Sequence, residues 1–227
     1  CENLMDANHV LEGLIKAELT PEEQARFDRE VGLVEASIGR MVPVQTEQMR
    51  EGDPLRVCVE AYAFLPVDKD AFRGDIPPME GLVPYSPFDY YLRRKLYLHN
   101  AGHAILAYLG YRRGYKLGYE ALDDAEVRPI LQGGLEESIQ GIVARYNADE
   151  TWLRAHVNDL LARFANRVLA DPILRLGRDP LRKLAPADRL VGAARLAEAA
   201  GIMPVNLAWA IAAALAFDAP DDPLAVE

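Results

Sequence analysis

At 227 residues, half of them hydrophobic, the chain is long enough to bury a sizeable core in one large or two small domains. Its 35 acidic against 25 basic side chains leave a net charge of −10, which argues against a nucleic-acid or anionic-membrane surface but not against a local cationic cluster for a small anion. The two cysteines, Cys1 and Cys58, form neither a disulfide framework nor a metal spacing and fit a reducing cytoplasm, and no stretch approaches the roughly 20 apolar residues of a membrane span.

The first third reads as mixed α and β. Thr20-Pro21-Glu22-Glu23 sets an N-cap Thr, a Pro at the first helical position and a Glu at the third, a capping box that opens a helix running to about Val31. Val34 to Val44 reads as extended. Leu55, Val57, Val59 and Ala61 alternate with Arg56, Cys58, Glu60 and Tyr62, which predicts a half-buried strand. Pro77-Pro78, Gly81 and Pro84 form the clearest breaker cluster, dividing a mixed segment 1–76 from a helical domain 77–227.

Beyond that point the pattern predicts helices over Phe88 to Leu109, Leu117 to Ala121, Glu126 to Arg145, Thr151 to Ala165, Pro172 to Leu176, Pro186 to Ala200 and Pro204 to Ala216. Asp149, Asp171 and Pro186 mark starts, and Gly201 marks a stop. Gly133-Gly134 is followed by Leu-Glu-Glu, which sets carboxylates where a bound phosphate needs donors, so it reads as a helix boundary. The alanines of Ala208 to Ala216 point to close helix packing, and Tyr90, Tyr91, Tyr97 and Tyr108 to core positions.

Two groups of residues carry the chemistry. Lys95-Leu-Tyr-Leu-His-Asn100-Ala-Gly-His103 places an ammonium, a carboxamide and an imidazole on one helix. At about 100° per residue, Asn100 lies about 140° and His103 about 80° around the axis from Lys95, so one broad face holds all three. A lysine in a low-dielectric pocket can lose its proton near neutrality and serve as a general base, while Asn and His grip the reacting oxygen. The same residues also suit a plain solvated face. His99 and His103 are four apart, but Asn100 stands where a zinc-protease helix has Glu, and no third ligand lies nearby. No metal is therefore expected, and His99 reads as a core or supporting residue. The second group is Arg175, Arg178, Arg182 and Lys183, opposed only by Asp179: either a basic segment answering an acidic surface or an anion site.

The Lys-x4-Asn-x2-His pattern with Ala-Ile-Leu-Ala-Tyr-Leu-Gly at 104–110 resembles the signature of the polyol-specific long-chain dehydrogenases. Cys-Glu-Asn-Leu at 1–4, Gly-Arg-Asp-Pro-Leu-Arg-Lys-Leu at 177–184 with Asp188-Arg189-Leu190, and Ile-Ala-Ala-Ala at 211–214 leading to Asp221-Asp222-Pro223 extend the resemblance along nearly the whole chain. It implies a mainly α fold, the multi-helical C-terminal substrate-binding domain of a long-chain dehydrogenase, preceded by a small mixed α/β segment from the end of its Rossmann domain. No glycine-rich nucleotide fingerprint occurs and the sequence opens on Cys1, so the chain is expected to be the carboxy-terminal part of a longer enzyme and inactive alone. By the resemblance, Lys95 is the general base, Asn100 steadies the reacting oxygen and His103 orients the substrate. Arg175 and Lys183, eight residues apart, match the family's polyol contacts, and Arg178 and Arg182 are free for a phosphate. Glu2 and Asn3 correspond to the strand end near the nicotinamide of NAD. Arg163-Phe164 and Asn166 match a further family stretch, read mainly as packing and capping. The implied substrate is a sugar phosphate, with a free polyol or hexuronate as the rival, and a non-catalytic helical binding domain as the rival of another class.

Overall fold

The computed structural model describes residues 7–220 and 222–225. The chain divides into two compact units, the first formed by the described residues up to Arg40 together with Ala61–Leu92, the second by Met41–Glu60 and the chain from Arg93 onward. The Pro77-Pro78 breaker lies inside the first.

In the first unit, helices α1 (Ala7–Ala17) and α2 (Pro21–Glu30) lead into extended chain. The capping box forms as its residues predict: the Thr20 amide donates to Glu23 Oε2 at 2.8 Å, and the Glu23 amide donates back to Thr20 Oγ1 at 3.4 Å. Strands β1 (Leu65–Asp68) and β2 (Leu82–Tyr85) pair in parallel, with Leu65 opposite Leu82 and Asp68 opposite Tyr85, and Ala36 makes an antiparallel bridge to Val67. Tyr85 and Tyr91 meet edge to face at 4.6 Å, and Phe88 and Phe64 close around the Tyr91 ring.

In the second unit, the segment Met41–Glu60 holds the short helix α3 (Glu47–Arg50), and the strand expected from Leu55 to Tyr62 does not form. Leu55, Val57 and Val59 are exposed, so the alternation meets no sheet. A side chain takes the place of the missing ladder: the Cys58 amide donates to Gln45 Oε1 at 2.7 Å, and Gln45 Nε2 donates to the Cys58 carbonyl at 3.0 Å.

The long helix predicted from Phe88 forms, but in three parts: α4 (Asp89–Arg94), a π-turn (Lys95–Asn100) and α5 (Ala101–Arg112). Around α5 stand α6 (Gly118–Asp123), α7 (Val127–Tyr146), α8 (Glu150–Phe164), α9 (Ile173–Gly177), α10 (Pro180–Lys183), α11 (Val191–Ala199) and α12 (Val205–Leu215). Helix α5 is buried on nearly every side, with Ile105, Leu106, Ala107 and Tyr108 inaccessible, as expected of a helix hydrophobic all round. It packs against α6, α7, α9 and α12, and α7 also packs against α11. Each fully buried Leu or Ile here contributes about 1.5–3 kcal/mol relative to an exposed one.

Two expectations are corrected. Gly133-Gly134 lies inside α7 rather than at a boundary, and a Cβ on Gly133 would stand 2.3 Å from Asn206 Nδ2, so the bare glycine is what admits that side chain against the helix. The helix expected from Pro186 starts only at Val191, since 184–190 form turns that direct Asp188 and Arg189 inward. At the start of α12, the buried Glu137 carboxylate accepts from the amides of Asn206 and Leu207 at 2.8 and 2.9 Å, supplying the acceptors that a helix N-terminus needs.

Candidate active site

Lys95 opens the π-turn and Asn100 closes it. The Ala101 amide donates to the Leu96 carbonyl, five residues back, so one extra residue is held in the turn. In a uniform α-helix residues five apart diverge by about 140°. The widened turn brings Asn100 back toward the side of Lys95, and His103 follows on the first turn of α5. Single π-turns inserted in α-helices recur at functional sites because they re-aim side chains in this way.

Neither the Lys95 ammonium nor the Asn100 carboxamide finds a hydrogen-bond or ion-pair partner among the described residues. Lys95 is half-buried, and its pKa is lowered first by burial and then by the charge of Arg189. His103 sits edge-on to His99 at 4.9 Å and against the Phe164 ring at 4.3 Å. Burial pushes its pKa down to about 3, helped by the charges of Arg189, Arg175, Lys183 and Arg163. The imidazole is neutral at any physiological pH. Buried His99 is held neutral in the same way, by burial first and by His103 second. Among the described residues no cluster of three or more His, Cys, Asp or Glu converges as a metal site would require.

A cleft beside His103 is lined by Met41, Phe164, Asn166, Asp171 and Leu176, among others. One wall is fixed by an ion pair between the nearly buried Glu60 and Arg163, with Arg163 Nε donating to Glu60 Oε2 at 2.8 Å. The same carboxylate accepts the Met41 amide. Breaking such a buried pair from one side leaves an uncompensated charge and costs about 3–5 kcal/mol. The packing role read for Arg163 and Phe164 agrees with these contacts: Arg163 anchors the wall and Phe164 stacks beside His103.

The four cations of residues 175–183 lie in different surroundings. Lys183 is buried, with its ammonium donating to the Leu176 carbonyl and lying 5.8 Å from the centre of the Tyr108 ring. Burial brings its pKa down to about 7, with Arg189 and Arg182 adding to the shift. Arg175 is half-exposed, pairs with Asp171 across one helical turn and reaches the Val42 carbonyl at 3.4 Å, while its charge still bears on His103. Arg182 Nε is held by Asp179 Oδ2 at 2.8 Å, and its Nη1 lies 3.8 Å from Asp188 Oδ2. Arg178 is exposed and forms no ion pair among the described residues. Glu2 and Asn3 lie outside the described residues.

Sequence reasoning did not single out Arg189 as a candidate. It is only 7% exposed, and its charge is the foremost acting on Lys95, His103 and Lys183. The only signal for it was its place in the Asp188-Arg189-Leu190 stretch.

Residues 88–227 match the mannitol dehydrogenase C-terminal domain. The whole chain is 39% identical to a mannitol-1-phosphate 5-dehydrogenase of Bacillus licheniformis and 37% identical to one of Bacillus subtilis, in each case covering 59% of that protein. The chain thus spans well under two thirds of the length of the curated relatives it matches. Among solved structures, a substrate-free D-sorbitol dehydrogenase superposes with a TM-score of 0.80 at 22% identity, over 95% of this chain and 46% of that one. Pseudomonas fluorescens mannitol 2-dehydrogenase, in a ternary complex with NAD and D-mannitol, gives 0.70 at 21%, over 99% of this chain and 49% of that one. These likenesses establish the mainly helical fold of a polyol-dehydrogenase C-terminal domain.

Proposed function

The chain belongs to the mannitol dehydrogenase family, of which it carries the C-terminal domain, and from that premise we propose that it is the substrate-binding and proton-transfer part of an NAD-dependent mannitol-1-phosphate 5-dehydrogenase, interconverting mannitol 1-phosphate and fructose 6-phosphate. The observation that supports this reading is the Lys95 ammonium: half-buried, without a partner among the described residues, and at the head of a π-turn that ends at Asn100.

The chemistry divides by basicity. With a pKa near 3, His103 would be too weak a base to take a hydroxyl proton, but as a neutral imidazole it can hold the oxygen by a hydrogen bond without adding charge. Lys95, its pKa lowered by burial and by Arg189, is the base that accepts this proton. The Asn100 carboxamide donates to the same oxygen as negative charge grows on it. The nicotinamide, when bound, supplies the hydride acceptor. Among the described residues no glycine-rich turn opens a helix in the manner that holds a pyrophosphate, so the dinucleotide is assigned to chain outside them. The guanidiniums of Arg189, Arg175 and Arg163, whose charges bear on His103, favour a phosphorylated substrate over free mannitol or a neutral polyol.

Steady-state assay of the intact enzyme with NAD tests the reading. Mannitol 1-phosphate should give a kcat/KM at least about tenfold above mannitol, as one charge-assisted contact of about 1.5–3 kcal/mol implies. Equal use of both would overturn the phosphate assignment and leave a free-polyol dehydrogenase.

A further inference from the structure

The Arg189 side chain has more donors than the described residues satisfy. Its Nε donates to Asp188 Oδ1 at 2.7 Å, and its backbone amide donates to the same oxygen at 2.5 Å. Nη2 is buried and has no acceptor among the described residues. A buried donor left without a partner is costly, so a fold that keeps one generally has an acceptor to meet it at some stage of its work.

The surroundings indicate what that acceptor carries. The segment from Ala187 to Gly192 lies on the π-turn: the Tyr97 hydroxyl donates to the Ala187 carbonyl at 3.3 Å, and a Cβ on Gly192 would stand 2.8 Å from that hydroxyl. Arg189 is thereby held next to the helix that bears Lys95. Asp179 and Asp188 answer Arg182 and Arg189, and Arg182 Nη1 is a second buried nitrogen without a hydrogen-bond acceptor. Neither Lys95 nor Lys183 has a carboxylate within ion-pair distance among the described residues. Arg182 and Arg189 thus each keep a buried Nη donor without an acceptor among the described residues, and a group with several acceptor oxygens meets both where a single hydroxyl would not.

We propose that Arg189 is a substrate-binding residue whose Nη2 takes an oxygen of the substrate's phosphate monoester, with Arg182 Nη1 beside it, so that the phosphate completes the hydrogen bonding of both guanidiniums. Planar guanidiniums match phosphate oxygens in geometry as well as charge. This assignment rests on the sugar-phosphate reading above and names the residue that gives it its specificity. Arg178, exposed and outside this group, has no part in it. The pKa values of Lys95 and Lys183 are lowered first by burial and then by the charge of Arg189, which places that guanidinium near both.

The test is Arg189→Gln in the intact enzyme, with Arg189→Lys alongside and thermal midpoints recorded for both. With NAD saturating, Arg189→Gln is expected to raise KM for mannitol 1-phosphate by about ten- to a hundredfold while kcat changes less, and to weaken competitive inhibition by inorganic phosphate in proportion. Arg189→Lys, which keeps the charge but not the planar pair of donors, should recover part of the loss, and it carries the test if the Gln variant does not fold. A purely structural Arg189 would instead lower kcat and the midpoint with no selective loss of phosphate binding, and that pattern overturns the proposal. A wild-type enzyme indifferent to the phosphate overturns this assignment and the substrate reading together. A wild type that prefers the phosphate and a variant that keeps the preference overturn this assignment alone.

Discussion

Lys183 illustrates how a single buried group can set a pH dependence. Its folded-state pKa is about 7, against about 10.4 in an unfolded chain, so between those values the unfolded state holds a proton that the folded state has released. Stability should therefore rise as pH increases through that window. The contribution is largest above the unfolded pKa and is lost as pH falls to 7. Lys183→Met removes the effect, so the difference in unfolding free energy between wild type and variant should shift toward the wild type by up to about 1.4 kcal/mol per pH unit between pH 7 and 10. Chemical denaturation of both proteins at pH 7.5 and 9.5 measures it. Parallel behaviour at the two pH values would mean that Lys183 is charged in the folded protein. Histidines act in the acid range: His103 and His156, both held near 3 mainly by burial, must gain protons on unfolding below about 6.5 and so destabilise the fold as pH falls.

At the scale of elements, the site depends on how closely α5 and the end of α8 approach. A Cβ on Gly102 would lie 2.8 Å from Phe164 Cε2, and Phe164 is the ring that holds His103 in place. Gly102→Ala should push Phe164 aside, lower stability by about 1–3 kcal/mol through overpacking and reduce kcat/KM by disturbing His103. Thermal melts together with steady-state assays check this, and an alanine variant unchanged in both would show that the ring moves without consequence. Much of this architecture is legible in the sequence. The capping box of α2, the start at Asp149, the stop at Gly201 and the core tyrosines follow from local chemistry and periodicity, whereas Asp171 does not cap α9, whose N-cap is Pro172, because its carboxylate pairs with Arg175. What was not legible depends on distant neighbours. The alternation at Leu55 to Tyr62 has no strand to pair with, and Gln45 satisfies the backbone instead. The π-turn has no composition of its own, and Arg189 looked like any surface arginine until the turn after α10 buried it.

For the molecule as a whole, an acidic chain sets on its central helix one half-buried lysine that has no partner among the described residues. The family match covers the domain that holds this lysine, while the curated relatives extend well beyond the chain. The spacing of Lys95, Asn100 and His103 groups them in the sequence, and the π-turn from Lys95 to Asn100 changes the angles that a uniform helix would give them. The central claim is that Lys95 is the base. The direct measurement is the pH profile of kcat/KM for the intact enzyme and its Lys95→Ala variant, with methylamine added as a substitute base. The account predicts a loss of about 10²–10⁴ in the variant, disappearance of the limb that reports lysine ionisation, and partial recovery with the amine. A variant that kept most of its rate and the same pH limb, unaffected by the amine, would contradict it and move the base elsewhere.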